Sequence, residues 1–323
     1  MADFSPIRID DPRDSRLDDF RNLNASDKKS GEQLIIAEGT LVVPRLLASP
    51  YPTRAVVGFP GKLRAIEEEL SRSLSGDDAS FSVFEVSREV LKEVAGFDMH
   101  RGLVASADRL PIGAVSTVST ASTVSAVSTT GPAGTGGVTG AQGTGIRAAG
   151  TSAVEAVLDH VEEAPEASGV IAVLEGVGDH ENIGSIFRNA AGLNVDAVLF
   201  GAATADPLYR RSVRVSMGHV LRLPWAKFPG TTTTWQRDLE LLQRRGYEVV
   251  ALTPAGDITL REATEAAHGR GKKVAVMVGA EGPGLTEHAM RAADVRASIP
   301  MARATDSLNV ATAAAIAFYE AVR

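Results

Sequence analysis

Cysteine is absent from the sequence, so disulfides, thiolate zinc sites and cysteine nucleophiles are excluded. The six histidines include no HExxH or similar pair, which removes the commonest signature of a metal enzyme, and no metal is expected. No apolar run reaches transmembrane length, and the charged opening MADFSPIRIDDPRDSRLDDF does not read as a secretory signal; the expectation is a cytoplasmic protein with no membrane partner. GxGxxG and the Walker P-loop are both missing, which disfavours a nicotinamide-dependent enzyme. What remains is ordinary: 323 residues and 44% hydrophobic content, enough for two soluble domains.

Charge is missing in particular places. A net charge of -7 argues against a nucleic-acid partner, but five acids with no Lys or Arg fall within residues 151–168 and supply most of it. Conversely, no acid lies between Asp206 and Asp238, where Arg210, Arg211, Arg214, Arg222, Lys227 and Arg237 stand. Such a patch suits a phosphate-bearing partner, although a solvated basic loop or a subunit contact has the same composition. Between Arg109 and Arg147 there is no charge at all, only a tract built almost wholly from Ala, Val, Ser, Thr and Gly. Too few bulky apolar side chains are present to offset its ordering entropy, so residues 111–150 are expected to be a flexible linker.

On either side of that tract strand-like and helix-like segments alternate. Residues 1–110 read as a small α/β domain with strands in QLIIAEG, TRAVVGF, FSVFEVS and GLVASAD. Residues 151–323 alternate more cleanly, with strands in GVIAVLEGV, VDAVLFG, YEVVALTP, KKVAVMVGAEG and ASIPM, which predicts an α/β fold with a mostly parallel sheet. In TWQRDLELLQRRG, Thr234 is the expected N-cap and Gly246 the C′ residue.

Three corners of this second domain carry polar residues where strands end. In NIGSIFRNAA, Asn182, Arg188 and Asn189 follow an apolar strand, with Ser185 as the expected cap of the next helix and Gly192 near its exit. In VMVGAEGPGLTEHA, Gly279, Gly282 and Gly284 flank the lone acid Glu281; a tight turn with an exposed glutamate would explain that pattern equally well. In IPMARATDSLNVATAAAIAFYEA, Asp306 or Ser307 is the expected helix cap, with Leu308, Ala311, Ala315, Phe318 and Val322 on one face. Capping accounts for Ser307 but leaves Asn309, in the first expected turn, unexplained.

In order and spacing the three corners resemble the signature motifs of the SpoU (TrmH) family of SPOUT methyltransferases: Asn-x-Gly-x-x-x-Arg-Asn-Ala, Gly-x-Glu-Gly-x-Gly, and Ile-Pro-Met followed by Ser-Leu-Asn-Val. RRSVRVSMGHVLRLP resembles the segment this family places between its first two motifs, and residues 1–110 resemble a ribosomal-protein-like substrate-binding domain often fused to it. Two positions depart from the pattern. Arg303 stands where glycine is usual, and Ala311 where serine is usual.

The resemblance implies transfer of a methyl group from S-adenosylmethionine to a ribose 2′-hydroxyl of structured RNA, ribosomal RNA being favoured over transfer RNA. It also implies a deep trefoil knot and a homodimer whose active-site parts meet across the interface. Carried over residue by residue, Asn182, Arg188, Glu281, Ser307 and Asn309 would be catalytic. Thr253, Gly279, Ile299 and Leu308, with their neighbours Pro254, Gly282, Met301 and Asn309, would hold the cofactor, and Arg210, Arg211, Arg214 and Arg222 would meet RNA. Arginine is effectively always charged, so Arg188 is assigned a clamp on phosphate and a stabiliser of the developing alkoxide. A catalytically silent RNA-binding dimer and a base-directed SPOUT methyltransferase are the alternatives.

Overall fold

The computed structural model describes residues 5–23, 34–75, 81–110, 152–302 and 307–323. The expected linker, Arg303 and Asp306 lie outside them. The N-terminal part contains β1 (Ile7–Arg8), β2 (Leu34–Glu38), α1 (Val42–Leu47), β3 (Thr53–Gly58), α2 (Pro60–Arg64), α3 (Glu67–Leu74), β4 (Ser82–Glu85), α4 (Arg88–Ala95) and β5 (Leu103–Asp108). Its sheet has the order β1-β4-β3-β5-β2, with β5 antiparallel to both neighbours.

The C-terminal part follows with α5 (Ala153–Glu163), β6 (Val170–Leu174), α6 (His180–Gly192), β7 (Ala197–Phe200), α7 (Arg210–Val215), β8 (Trp225–Lys227) and α8 (Leu239–Arg244). Then come β9 (Tyr247–Leu252), β10 (Ile258–Thr259), α9 (Leu260–Gly269), β11 (Lys273–Val278), α10 (Glu287–Ala292), β12 (Val295–Ser298) and α11 (Val310–Ala321). The seven strands pair in the order β10-β12-β9-β11-β6-β7-β8, every pairing parallel. Parallel sheets need cover on both faces. One face packs with Ile183, Ile186 and Phe187 of α6 and Ala314 and Phe318 of α11, the other with Val157 of α5, Leu239 of α8 and the buried Trp235. The chain lays β6, β7 and β8 outward in turn, crosses to place β9 on the far side, and fills the gap with β11. Such a reversal of strand order opens a crevice beyond the carboxyl ends of the central strands.

Several local expectations are corrected. The helix after β6 starts at His180, capped by Asp179, whose side chain accepts from the Glu181 amide at 2.8 Å. Ser185 is therefore an interior residue, and Asn182, expected on the loop before the helix, rides on α6 together with Arg188 and Asn189. The last helix starts at Val310, not near Ser307. Its buried face is Val310, Ala311, Ala314, Ala317, Phe318 and Ala321, while Leu308 stands outside the helix and exposed. Thr234 makes no side-chain cap bond; its hydroxyl accepts from the Thr231 amide, and the segment splits into a 3-10 turn, Trp235–Asp238, followed by α8. The acid-rich stretch holds α5, entered through a reciprocal Ser152–Glu155 capping box, and two of its acids, Asp159 and Glu162, pair with Arg245 and Lys273.

The two parts share a core: Ile35, Val43 and Leu46 belong to the same apolar cluster as Phe187, Val213 and Leu221. Charges cross the seam as well, from Arg210 to Glu38 and from Arg109 to Asp206. Among the described residues no helix is long and apolar enough to cross a membrane.

Candidate active site

The three motif corners follow β6, β11 and β12 and meet at the carboxyl ends of these strands. Asn182, in the first turn of α6 and 7% exposed, donates from Nδ2 to Glu281 Oε1 at 2.7 Å. Asn309 donates to Asn182 Oδ1 at 2.9 Å and to the same Glu281 oxygen at 3.2 Å. One residue from each motif thus closes a triangle of side chains separated by up to 127 positions in sequence. Asn309 Oδ1 also accepts from the amides of Ala311 and Thr312 at 3.0 and 3.2 Å, making Asn309 the N-cap of α11. Its presence, which the sequence left unexplained, has a structural cause: one amide caps a helix with its oxygen and joins the triangle with its nitrogen. Glu281 Oε2 has no hydrogen-bond donor among the described residues.

The triangle stands between two hollows. The larger, about 510 Å³, takes Thr253 and Pro254 from beyond β9, Gly279, Glu281 and Gly282 from beyond β11, Ile299 and Met301 from beyond β12, and Ser307, Leu308 and Asn309 from the entry to α11. Every residue expected to hold a cofactor lines this one cleft. The smaller, about 280 Å³, lies along residues 176–179 with Asn182, Ala280 and Glu281. Ala280 and Glu281 line both. The loop between β11 and α10 is drawn tight by the Gly284 amide donating to the Ala280 carbonyl at 2.9 Å. A Cβ at Gly279 would collide with the backbone of Gly284 and Leu285, so glycine there is a condition of the loop's shape.

Arg188 lines neither hollow. It is exposed on α6, six residues after Asn182 and hence about 240° further around the helix. Glu281 is bonded to the two asparagines and not to Arg188. Asn189 donates to the Ala311 carbonyl at 3.1 Å, fastening α6 to α11. Ala311, which replaces the usual serine, is 5% exposed and serves through its backbone.

Of the four arginines expected to meet RNA, Arg210 is turned inward. Its guanidinium pairs with Glu38 and lies 5.0 Å from the centre of the Phe97 ring. Arg211 pairs with Glu181 at 2.5 Å, while Arg214 is half-buried and Arg222 exposed. The sequence reading also passed over Glu175, directly after β6 and 3% exposed. Its carboxylate accepts from Trp235 Nε1, Gln236 Nε2, and the amide and hydroxyl of Thr286, all at 2.8–3.0 Å. Thr286 caps α10, so Glu175 fixes the far end of the loop that lines the cleft. An acid ending an apolar strand, as in VLEGV, was the available signal.

The SpoU rRNA Methylase family profile matches residues 169–319. A protein of Mycobacterium tuberculosis described as an uncharacterized tRNA/rRNA methyltransferase is 44% identical over 318 residues, covering 97% of this chain and 90% of its own. The chain belongs to the SpoU family of RNA methyltransferases. A 23S rRNA (guanosine-2′-O-)-methyltransferase, RlmB, of Ralstonia nicotianae is 28% identical to this methyltransferase over 77% of the chain and 80% of its own length. The fold matches that of an AdoMet-bound rRNA methyltransferase from Sinorhizobium meliloti, with a TM-score of 0.67 at 21% identity over 97% and 96% of the two chains. It also matches the SpoU methyltransferase AviRb from Streptomyces viridochromogenes, with a TM-score of 0.66 at 19% identity over 96% of each. Asn182, Glu281, Asn309 and the residues lining both hollows lie within the stretch that the family profile matches.

Proposed function

We propose that this methyltransferase uses S-adenosylmethionine to methylate a ribose 2′-hydroxyl of structured RNA, with ribosomal RNA as the substrate class. The observation that carries the proposal is the Asn182–Glu281–Asn309 triangle, which forms a common wall between two hollows. The larger suits a nucleoside-sized ligand: about 510 Å³ is within the range of small-molecule sites. Its walls alternate apolar side chains, Leu252, Val278 and Ile299, with backbone left bare at Gly279, Gly282 and Gly284. S-adenosylmethionine supplies a methyl group already activated by its sulfonium, so the chain's task is alignment and proton removal.

In this scheme Thr253, Pro254, Gly279, Gly282, Ile299, Met301 and Leu308 enclose the cofactor, and the smaller hollow receives the target nucleotide. Asn182 and Asn309 hold Glu281 so that its second oxygen faces the ribose. Ser307, exposed at the rim of the cleft, binds ribose or phosphate. Arg188 acts as a cation on the phosphate and the forming alkoxide. Its place on α6, turned away from the cleft of its own chain, is why the scheme calls for a homodimer in which Arg188 serves the cleft of a second copy. The trefoil knot belongs to the same scheme. The substrate class rests on the activity for which the RlmB relative is named.

The test is to map 2′-O-methyl positions in total RNA from cells with and without the gene. Loss of one ribosomal position in the deletion supports the proposal. A full set of ribose methyl groups in the deletion, with a base methyl missing instead, overturns it in favour of base-directed transfer.

A further inference from the structure

A second constellation of charge lies where the two parts of the chain meet, outside both hollows. Arg45, in the last turn of α1, donates from Nη1 to the Met217 carbonyl at 2.5 Å. Just beyond Met217, His219–Leu221 form one turn of 3-10 helix, followed by Arg222, and this turn packs against both α1 and α6. α6, which carries the exposed Arg188, packs on this same turn, and Arg188 and Arg222 both act on Arg45 and on His219. Burial first, and then these cations, hold the Arg45 guanidinium and the His219 imidazole below their ordinary values. Every charged group acting on either is an arginine. Nearby arginines are neutralised, Arg109 by Asp206, Arg210 by Glu38 and Arg211 by Glu181. Arg45, Arg188 and Arg222 have no carboxylate partner among the described residues.

Three guanidinium groups gathered without a carboxylate repel one another, and an anion that joins them removes that repulsion. A phosphodiester fits best, because arginine forks match phosphate oxygens and RNA carries one such group per nucleotide. We propose that Arg45, Arg188 and Arg222 form a single anion site that binds a backbone phosphate of the substrate RNA, with the N-terminal part of the chain contributing Arg45. His219 stands beside these arginines, and burial and their charges lower its affinity for a proton. The inference rests on the proposed reaction for the identity of the anion as RNA. In the proposed homodimer it gives the N-terminal part of one copy a direct hold on the backbone of the RNA whose ribose sits in the cleft of the other.

The test uses the full-length protein and a fluorescent 20-residue oligouridylate, with binding followed by polarisation across a salt series. Arg45→Gln, Arg188→Gln and Arg222→Gln are each expected to weaken binding about tenfold and to flatten the salt dependence. Arg244→Gln, on the opposite face of the sheet, is expected to bind as wild type. Wild-type affinity and salt slope in both Arg45→Gln and Arg222→Gln would overturn the site, as would failure of the unmodified protein to bind the oligomer. Should Arg45→Gln melt early through loss of its Met217 bond, Arg222→Gln, whose side chain makes no such bond among the described residues, decides: weakened binding at a wild-type melting temperature supports the site, and wild-type affinity and salt slope overturn it. Methyl transfer is not read in this assay, so a failure of the proposed reaction is distinguishable from a failure of the anion site.

Discussion

Asn309 shows how one side chain serves stability and chemistry together. Asn309→Ala removes the cap of α11 and is expected to cost about 1 kcal/mol in chemical unfolding, besides opening the triangle. Asn309→Asp separates the two roles. It keeps an oxygen for the Ala311 and Thr312 amides but sets a carboxylate against Glu281. Its rate of methyl transfer at pH 7 is expected to fall more than about tenfold and to recover in part toward pH 5, where the two carboxylates share a proton. The membership of the triangle was legible in the sequence, since Asn182, Glu281 and Asn309 are the polar residues of three glycine- or alanine-rich corners. Their mutual bonding was not, because hydrogen bonds across 99 and 127 positions leave no trace in local spacing. His219 carries a pH dependence of its own. Burial and then the arginines Arg45, Arg222 and Arg188 lower its affinity for a proton in the folded state, so the unfolded chain binds more protons below about pH 6.5. Stability is therefore intact above that range and falls as the pH drops below it. His219→Gln should flatten the decline in melting temperature between pH 7 and pH 5.

At the scale of elements, α6 explains both a success and an error. The strands on either side of it were readable because parallel strands buried on both faces are continuous apolar runs. The cap of the helix was misplaced by six residues, from Asp179 to Ser185, because Asn182, Gly184 and Ser185 are poor helix formers and Ser185 looks like a cap. Packing decides otherwise. A Cβ on Gly184 would sit 2.7 Å from Val215 Cβ and 2.9 Å from the Ser212 carbonyl, so glycine is the residue that lets α6 lie against α7. Gly184→Ala is expected to destabilise the fold by about 1–3 kcal/mol through overpacking, measured by denaturant unfolding. Gly192→Ala, with open space around its Cβ, should not destabilise comparably. The same logic makes the glycine of the first motif an architectural residue and Asn182 a member of the site.

Across the whole molecule the sequence suggested two α/β domains, and it gave no hint of how they meet. Glu38 and Arg210 are 172 positions apart, and the basic stretch looked like a solvent-facing patch until Arg210 was found paired across the seam at 13% side-chain exposure, with Glu38 at 5%. Removing one partner of a pair so buried leaves a charge without compensation, so Glu38→Gln is expected to lower stability by about 3–5 kcal/mol. A Glu38→Leu, Arg210→Met double variant should recover much of that loss. The central claim, however, concerns the cleft and what it transfers. The decisive measurement is to incubate the protein with methyl-labelled S-adenosylmethionine and RNA from a strain lacking the gene, digest to nucleosides and locate the label by mass spectrometry. Label on the ribose of a single nucleotide, abolished by Asn182→Ala, is the predicted result; label on a base, or none above background, would contradict the account.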